Sequence, residues 1–199
     1  MSDIVVPRPA ASLLVLRHTG AGPAVLMGMR GAGHSFMPNR LVFPGGGVDP
    51  ADHGAAVATP LRPAVLQRLA ASADPSLAAA LAIAAARELA EETGLSLGTP
   101  PRLDRLDYLC RAVTPPGMPK RFDARFFVVA ESEIAGTLAG SGELEDLRWF
   151  AVTEALALDL AGATRGVLAR LADWLAWSPA QRDARTLTPV MHARVWHDE

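Results

Sequence analysis

The segment from Asp74 to Gly94 constrains the fold of this chain more than any other. Asp74-Pro75 couples a residue whose side chain caps a helix to one whose ring suits the first helical turn. Residues 75–93 are then rich in Ala, Leu, Arg and Glu, which lose little on entering a helix. Gly94 stands where a helix end turns left-handed. The pattern predicts one helix over 75–93, about five turns long.

The last turns of that helix read Arg87-Glu-Leu-Ala-Glu-Glu-Thr-Gly-Leu95. Glu88, Glu91 and Glu92 fall at i, i+3 and i+4, so three carboxylates share one face. They repel one another, and they lie at the helix end where the dipole disfavours negative charge. A cation between them turns this cost into a site. Donors that are all oxygen suit a hard ion such as Mg²⁺ or Mn²⁺. Upstream, the strand-like Leu41-Val-Phe43 runs into Pro44-Gly-Gly-Gly47, a stretch whose bare backbone admits close approach of an ion or a phosphate.

Around these landmarks the chain alternates strands and helices. Ala11–Leu16 and Ala24–Met29 read as a strand pair around a Gly-Pro turn, and Leu106–Val113, Phe122–Ala130 and Glu143–Val152 as further strands. Residues 63–71 read as a short helix and 162–177 as a longer one, striped by Val167, Leu168, Leu171, Trp174 and Leu175. Thr153 is placed to cap a short helix over 153–158, and 178–199 read as a polar tail packed on the body. No linker or repeat divides the chain, so the 199 residues are expected to form one α/β domain.

Composition removes several classes of function. The net charge is −2 and no block of like charges appears, so nothing points to nucleic acid. The longest apolar run, residues 77–86, is half what a membrane span needs. Cys110 is the single cysteine, which excludes an internal disulfide. With no leader-like pattern over Met1–Pro9, the cytoplasm is the expected compartment. The sequence is compatible with a homodimer and does not require one.

The glycine loop followed by Arg87–Leu95 resembles the Nudix box, the signature of Nudix hydrolases. The second half of that pattern, Arg-Glu-apolar-x-Glu-Glu-x-Gly-apolar, matches at every fixed position. Gly46 and Arg87 are 41 positions apart where the family has 14, an insertion of 27 residues. The family's first glutamate therefore has two counterparts, Asp52 counting forward and Ala79 counting back. Asp52 is favoured, with the insertion at about 53–78. The resemblance covers about residues 10–160 and implies a mixed sheet between helices. It also implies hydrolysis of a nucleoside diphosphate derivative by water attack at phosphorus. Glu88, Glu91, Glu92 and the Gly45 carbonyl correspond to the metal ligands. Arg87 corresponds to the box arginine and is counted with Glu88, Glu91 and Glu143 among the expected catalytic residues. The general base is either Glu88 or a later loop acid, Glu143 or Glu145.

Val42-Phe-Pro-Gly-Gly-Gly-Val-Asp-Pro-Ala-Asp52, with Arg30 upstream, resembles the coenzyme A pyrophosphatase branch. Phe43, Pro44, Gly45, Gly46, Asp49 and Asp52 match its motif, and the run Gly33–Asn39 matches loosely. The implied substrate is CoA or acyl-CoA, and the products are 3′,5′-ADP and (acyl) phosphopantetheine. The alternatives are ADP-ribose, dinucleotides or nucleotide sugars, or a catalytically inactive ligand sensor. Arg30, Phe43 and Gly46 are expected to meet substrate. In the strand over 122–130, Arg121, Asp123 and Arg125 share one face, and Arg121 and Arg125 are expected to reach phosphate oxygens. The insertion either shapes the substrate channel or decorates the surface.

Overall fold

The computed structural model describes residues 5–31 and 39–199. Of the run Gly33–Asn39 only Asn39 falls within them, and the first four residues of the N-terminal segment lie outside.

The chain opens with the hairpin β1 (Arg8–Thr19) and β2 (Gly22–Arg30), joined through Thr19↔Gly22. Two short strands follow, β3 (Leu41–Val42) and β4 (Gly45–Gly47). The insertion carries α1 (Pro63–Leu69) and leads into α2 (Pro75–Thr93). Next come β5 (Leu95–Ser96), β6 (Asp107–Val113), β7 (Phe122–Ala130), β8 (Ala135–Gly136) and β9 (Leu144–Ala151). Helices α3 (Val152–Ala157), α4 (Gly162–Ala176) and α5 (Pro179–Asp183) precede a last hairpin, β10 (Pro189–His192) and β11 (Val195–Asp198).

The main sheet is mixed and runs β11-β10-β6-β7-β1-β2-β3, with β4 also on β1 and β9 also on β2. The β1–β7 and β6–β10 pairs are parallel and the others antiparallel. Alternation along β1 divides the core in two. Leu13 and Val15 face α1 and α2, together with Leu26, Tyr108 and Phe127. Leu14 and Leu16 face α3 and α4, together with Met27, Phe126 and Leu171. Each fully buried Leu contributes about 1.5–3 kcal/mol.

Helix α2 forms as expected. The Asp74 carboxylate accepts a hydrogen bond from Leu77 N, and Gly94 ends the helix at φ +71°. Its middle is buried all round, from Ala80 to Ala86. Such a helix needs cover on more than its sheet face. The insertion joins that cover: Val65 and Leu69 of α1 are fully buried in the same cluster as Leu81 and Ala85. The insertion is core, not surface decoration.

Two local expectations are corrected. Thr153 does not cap α3, which begins at Val152 and has no side-chain cap. Residues 178–199 are not a polar tail, because β10 pairs with β6 through Val190↔Arg111 and Met191↔Ala112 and widens the sheet. Thr188 and Glu199 exchange backbone hydrogen bonds beyond the β10–β11 ladder. Among the described residues no helix is long and apolar enough to cross a membrane.

Candidate active site

The glycine segment is a strand rather than a loop. Gly45, Gly46 and Gly47 pair with Ser12, Ala11 and Ala10 of β1. This wedges β4 between β1 and the C-terminal end of α2, which leaves no room for side chains at Gly45 and Gly46. A Cβ on Gly45, at φ +155°, would lie 2.4 Å from the Ala11 carbonyl oxygen. A Cβ on Gly46 would lie 2.3 Å from Glu88 Oε1.

Arg87 is the hub. Its Nε and Nη2 donate to the two oxygens of Asp52, both at 3.0 Å. Nη2 also donates to the Gly47 carbonyl at 3.0 Å. Nη1 donates to Glu88 Oε1 at 2.9 Å and to Glu91 Oε2 at 3.0 Å. The guanidinium thus spends all five N–H groups, and its already high pKa is raised further, chiefly by the bonds to Asp52. Asp52 is 2% exposed and also accepts from Asp49 N at 2.8 Å. These contacts make Asp52, and not Ala79, the acid that orients Arg87.

The three glutamates have different surroundings. Glu92 is 2% exposed, and its Oε2 accepts from Gly45 N at 2.8 Å. Burial pushes its carboxyl up to about 7, aided by the charges of Glu88 and Glu143 and opposed by the Gly45 N–H and Arg30. Glu88 is half-buried, and burial raises its pKa against the pull of Arg87. Glu91 is exposed at the rim. Glu143 lies exposed just before β9, and its charge acts on both Glu88 and Glu92. Glu145 lies on β9 opposite Met29.

Among the described residues no three acidic or imidazole side chains stand close enough to hold an ion as placed, and Glu88 and Glu91 are turned to Arg87. The donor chemistry nevertheless fits a divalent cation. All the donors are oxygen, two of the carboxyls are held above their usual range by burial and mutual repulsion, and a hard cation relieves both costs.

On the other side of β4 lies a cavity of about 270 Å³, lined by Gly45, Gly46, Phe43 and Arg30 among others. Phe43 is buried edge-on against Phe126, with ring centroids 6.3 Å apart. Arg30 lines the cavity, its charge acts on Glu92, and its buried Nε has no partner among the described residues. The structure brings Arg30, Phe43, Gly45, Gly46, Arg87, Glu88, Glu91, Glu92 and Glu143 into one neighbourhood.

Arg121 and Arg125 do not join it. The cavity face of β7 carries Phe122, Ala124 and Phe126, and the arginines lie on the other face. Arg125, 1% exposed, pairs with Asp123 Oδ2 at 2.8 Å and donates to the Ser72 carbonyl at 2.7 Å. Arg121 donates to the Thr114 and Val5 carbonyls. Arg111 grips Asp123 in a two-pronged pair at 2.7 and 2.9 Å. Burial works to raise the Asp123 pKa, but the two arginines hold it below the usual range. Arg121 and Arg125 are therefore structural. The insertion does not line the cavity either. The wall residues Ala163 and Met191 were not anticipated, because they come from α4 and the C-terminal hairpin, which carry no motif.

Residues 78–171 match the model of the NUDIX domain. No curated protein matches the chain. Among solved structures, a Nudix hydrolase from Alicyclobacillus acidocaldarius is similar at 26% identity and a TM-score of 0.64, over 83% of this chain and 90% of that one. A MutT Nudix hydrolase from Burkholderia pseudomallei is 20% identical with a TM-score of 0.55, over 84% and 99%. The Nudix domain of Shewanella oneidensis NrtR, crystallised with ADP ribose, is 16% identical with a TM-score of 0.53, over 86% and 90%. With the glutamate helix, the glycine strand and Arg87 in place, the chain matches the NUDIX domain over residues 78–171 and is similar in fold to Nudix hydrolases.

Proposed function

We propose that this single-domain chain hydrolyses the diphosphate bond of CoA or an acyl-CoA, releasing 3′,5′-ADP and (acyl) phosphopantetheine. One observation carries the reading. The segment Phe43–Asp52 is wired to the glutamate helix, with Asp52 in a two-pronged pair with Arg87 and Asp49 3.8 Å from the same guanidinium. The residues that resemble the CoA branch are thus part of the catalytic scaffold.

Glu88, Glu91, Glu92 and the Gly45 carbonyl would hold Mg²⁺ or Mn²⁺. When bound, the metal neutralises the diphosphate and acidifies the attacking water. Arg87 fixes the Glu88 and Glu91 carboxylates in orientation. Arg30 meets a diphosphate oxygen, which satisfies its Nε. Glu88 or Glu143 accepts the proton of the water that attacks phosphorus, and the bridging P–O bond breaks. The pH profile of kcat in Glu88→Gln and Glu143→Gln separates the two bases, since only the true base removes the acidic limb.

The deciding experiment is a product-resolved hydrolysis assay on CoA and acyl-CoAs beside ADP-ribose, dinucleotides and nucleotide sugars. ADP-ribose belongs in the panel because the Shewanella neighbour was solved with it. Release of 3′,5′-ADP, lost in Glu91→Gln and Glu92→Gln, is the expected result. Turnover of another compound alone overturns the CoA assignment. Turnover of nothing under either metal favours the sensor reading.

A further inference from the structure

The cavity behind β4 has a chemistry of its own. Its walls include Phe43, Phe122, Phe126, Ala124, Ala163 and Met191, and among the described lining residues Arg30 is the one that carries a charge. The strands beneath it, β1, β7, β6 and β10, spend backbone groups on the ladder. The hydroxyl of Thr114, another lining residue, already accepts from Phe122 N at 3.0 Å. Among the described lining residues, that leaves chiefly the hydroxyls of Ser12 and Thr164 for the hydrogen-bonding edge of a nucleobase, against a wall that is otherwise largely apolar. At about 270 Å³ the cavity is slightly smaller than the ~300–1,000 Å³ that engulfs a whole small ligand. It has room for one arm of a substrate.

The cavity also shares a wall with the reaction site. Gly45 and Gly46 form part of its wall while Gly45 N bonds Glu92 and Gly46 abuts Glu88. A diphosphate held at the glutamates and Arg30 would therefore have an arm one strand's thickness from this space.

We propose that the cavity binds an apolar arm of the substrate, an alkyl or acyl chain linked to the diphosphate, and that Ala163 and Met191 set the length it accepts. This rests on the diphosphate-hydrolase reading of the site. It gives the C-terminal hairpin a role in specificity, because β10 carries Met191 to the wall.

The test uses ADP β-alkyl esters with chains of two to ten carbons, bound to the full chain with Ca²⁺ as the cation and followed by calorimetry. Kd should fall roughly four-fold per methylene, then level off once the cavity is full. Ala163→Phe should move the levelling to shorter chains and Met191→Ala to longer ones. Each is read as the ratio of Kd for the ester to Kd for ADP. Should Ala163→Phe fail to fold, Ala124→Leu fills the same space from the sheet side. A Kd independent of chain length overturns the proposal, as does a plateau that no variant moves. Weakening of ADP itself by Ala163→Phe, with no response to chain length, would place the base in the cavity and overturn it as well. A preserved chain-length response without CoA turnover would remove the CoA assignment alone.

Discussion

Arg87 and Asp52 stand 35 residues apart in the chain and meet in a two-pronged ion pair, both prongs 3.0 Å long. The pair ties the start of the insertion to the end of α2, and it leaves Arg87 Nη1 to align Glu88 and Glu91. Asp52→Ala breaks a nearly buried pair from one side. Arg87 keeps Gly47 and two glutamates, so the expected loss is about 2–3 kcal/mol, below that of a fully buried pair. Activity should fall at least ten-fold, because the glutamates lose their fixed orientation. Urea denaturation and kcat measured on the same preparation check both, and unchanged stability would refute the structural half.

The buried carboxyl of Glu92 makes metal-free stability depend on pH. Its folded pKa, about 7, exceeds the ordinary carboxylate value because burial disfavours the charge. A raised folded pKa means that the stability contributed by the protonated form is full below pH 4.5 and is lost as pH climbs through 7. The expected loss is on the order of 3 kcal/mol. Glu92→Gln should flatten this slope and, at pH 8 without metal, be more stable than the parent while inactive. Because proton and metal compete for one carboxylate, Mn²⁺ should raise the melting temperature more at pH 8 than at pH 6.

Gly45→Ala and Gly46→Ala should fail in different ways. The first puts a methyl 2.4 Å from the backbone oxygen of Ala11, at a φ that alanine avoids. It should part β4 from β1 and cost about 1–3 kcal/mol or more. The second meets Glu88 Oε1, the end of a flexible side chain. It should fold and lose activity a hundred-fold or more by displacing that carboxylate. Melting curves alongside kcat/KM separate the two.

Much of this was legible because local rules decided it. The Asp74 cap and the Gly94 stop bound α2, and the i, i+3, i+4 spacing put the glutamates on one face. What stayed hidden depended on contacts between distant segments. Phe122, Ala124 and Phe126 alternate with Arg121, Asp123 and Arg125, and alternation separates the faces without saying which one meets the site. The charged face was expected there; burial and the Arg111–Asp123–Arg125 network took it instead. Pro189–His192 is too short and mixed to announce a strand, and it becomes one only by docking on β6.

The insertion should prove indispensable to folding and secondary to chemistry. Leu69 is fully buried between α2 and the sheet, so Leu69→Ala should cost about 2–5 kcal/mol. At temperatures where the variant remains folded its kcat should match the parent's, since α1 lines no part of the cavity. A surface ornament would show neither the loss of stability nor its separation from kcat.

Arg30 and Arg125 provide the sharpest comparison, one arginine in the site and one in the frame. Arg30 lines the cavity and its charge acts on Glu92, whereas Arg125 lies on the opposite face of β7. Removing Arg30 removes a charge-assisted contact to substrate worth roughly 1.5–3 kcal/mol, so Arg30→Ala should raise KM about ten- to a hundred-fold and barely move the melting temperature. Arg125 already spends its Nη groups on Asp123 and the Ser72 carbonyl. Arg125→Ala leaves Asp123 to Arg111 alone and opens a buried gap beneath α1, which should cost about 3 kcal/mol or more. Its KM, measured well below the melting temperature, should stay within two-fold of the parent's. A KM effect at Arg125 without a loss of stability would return that residue to the substrate side of β7.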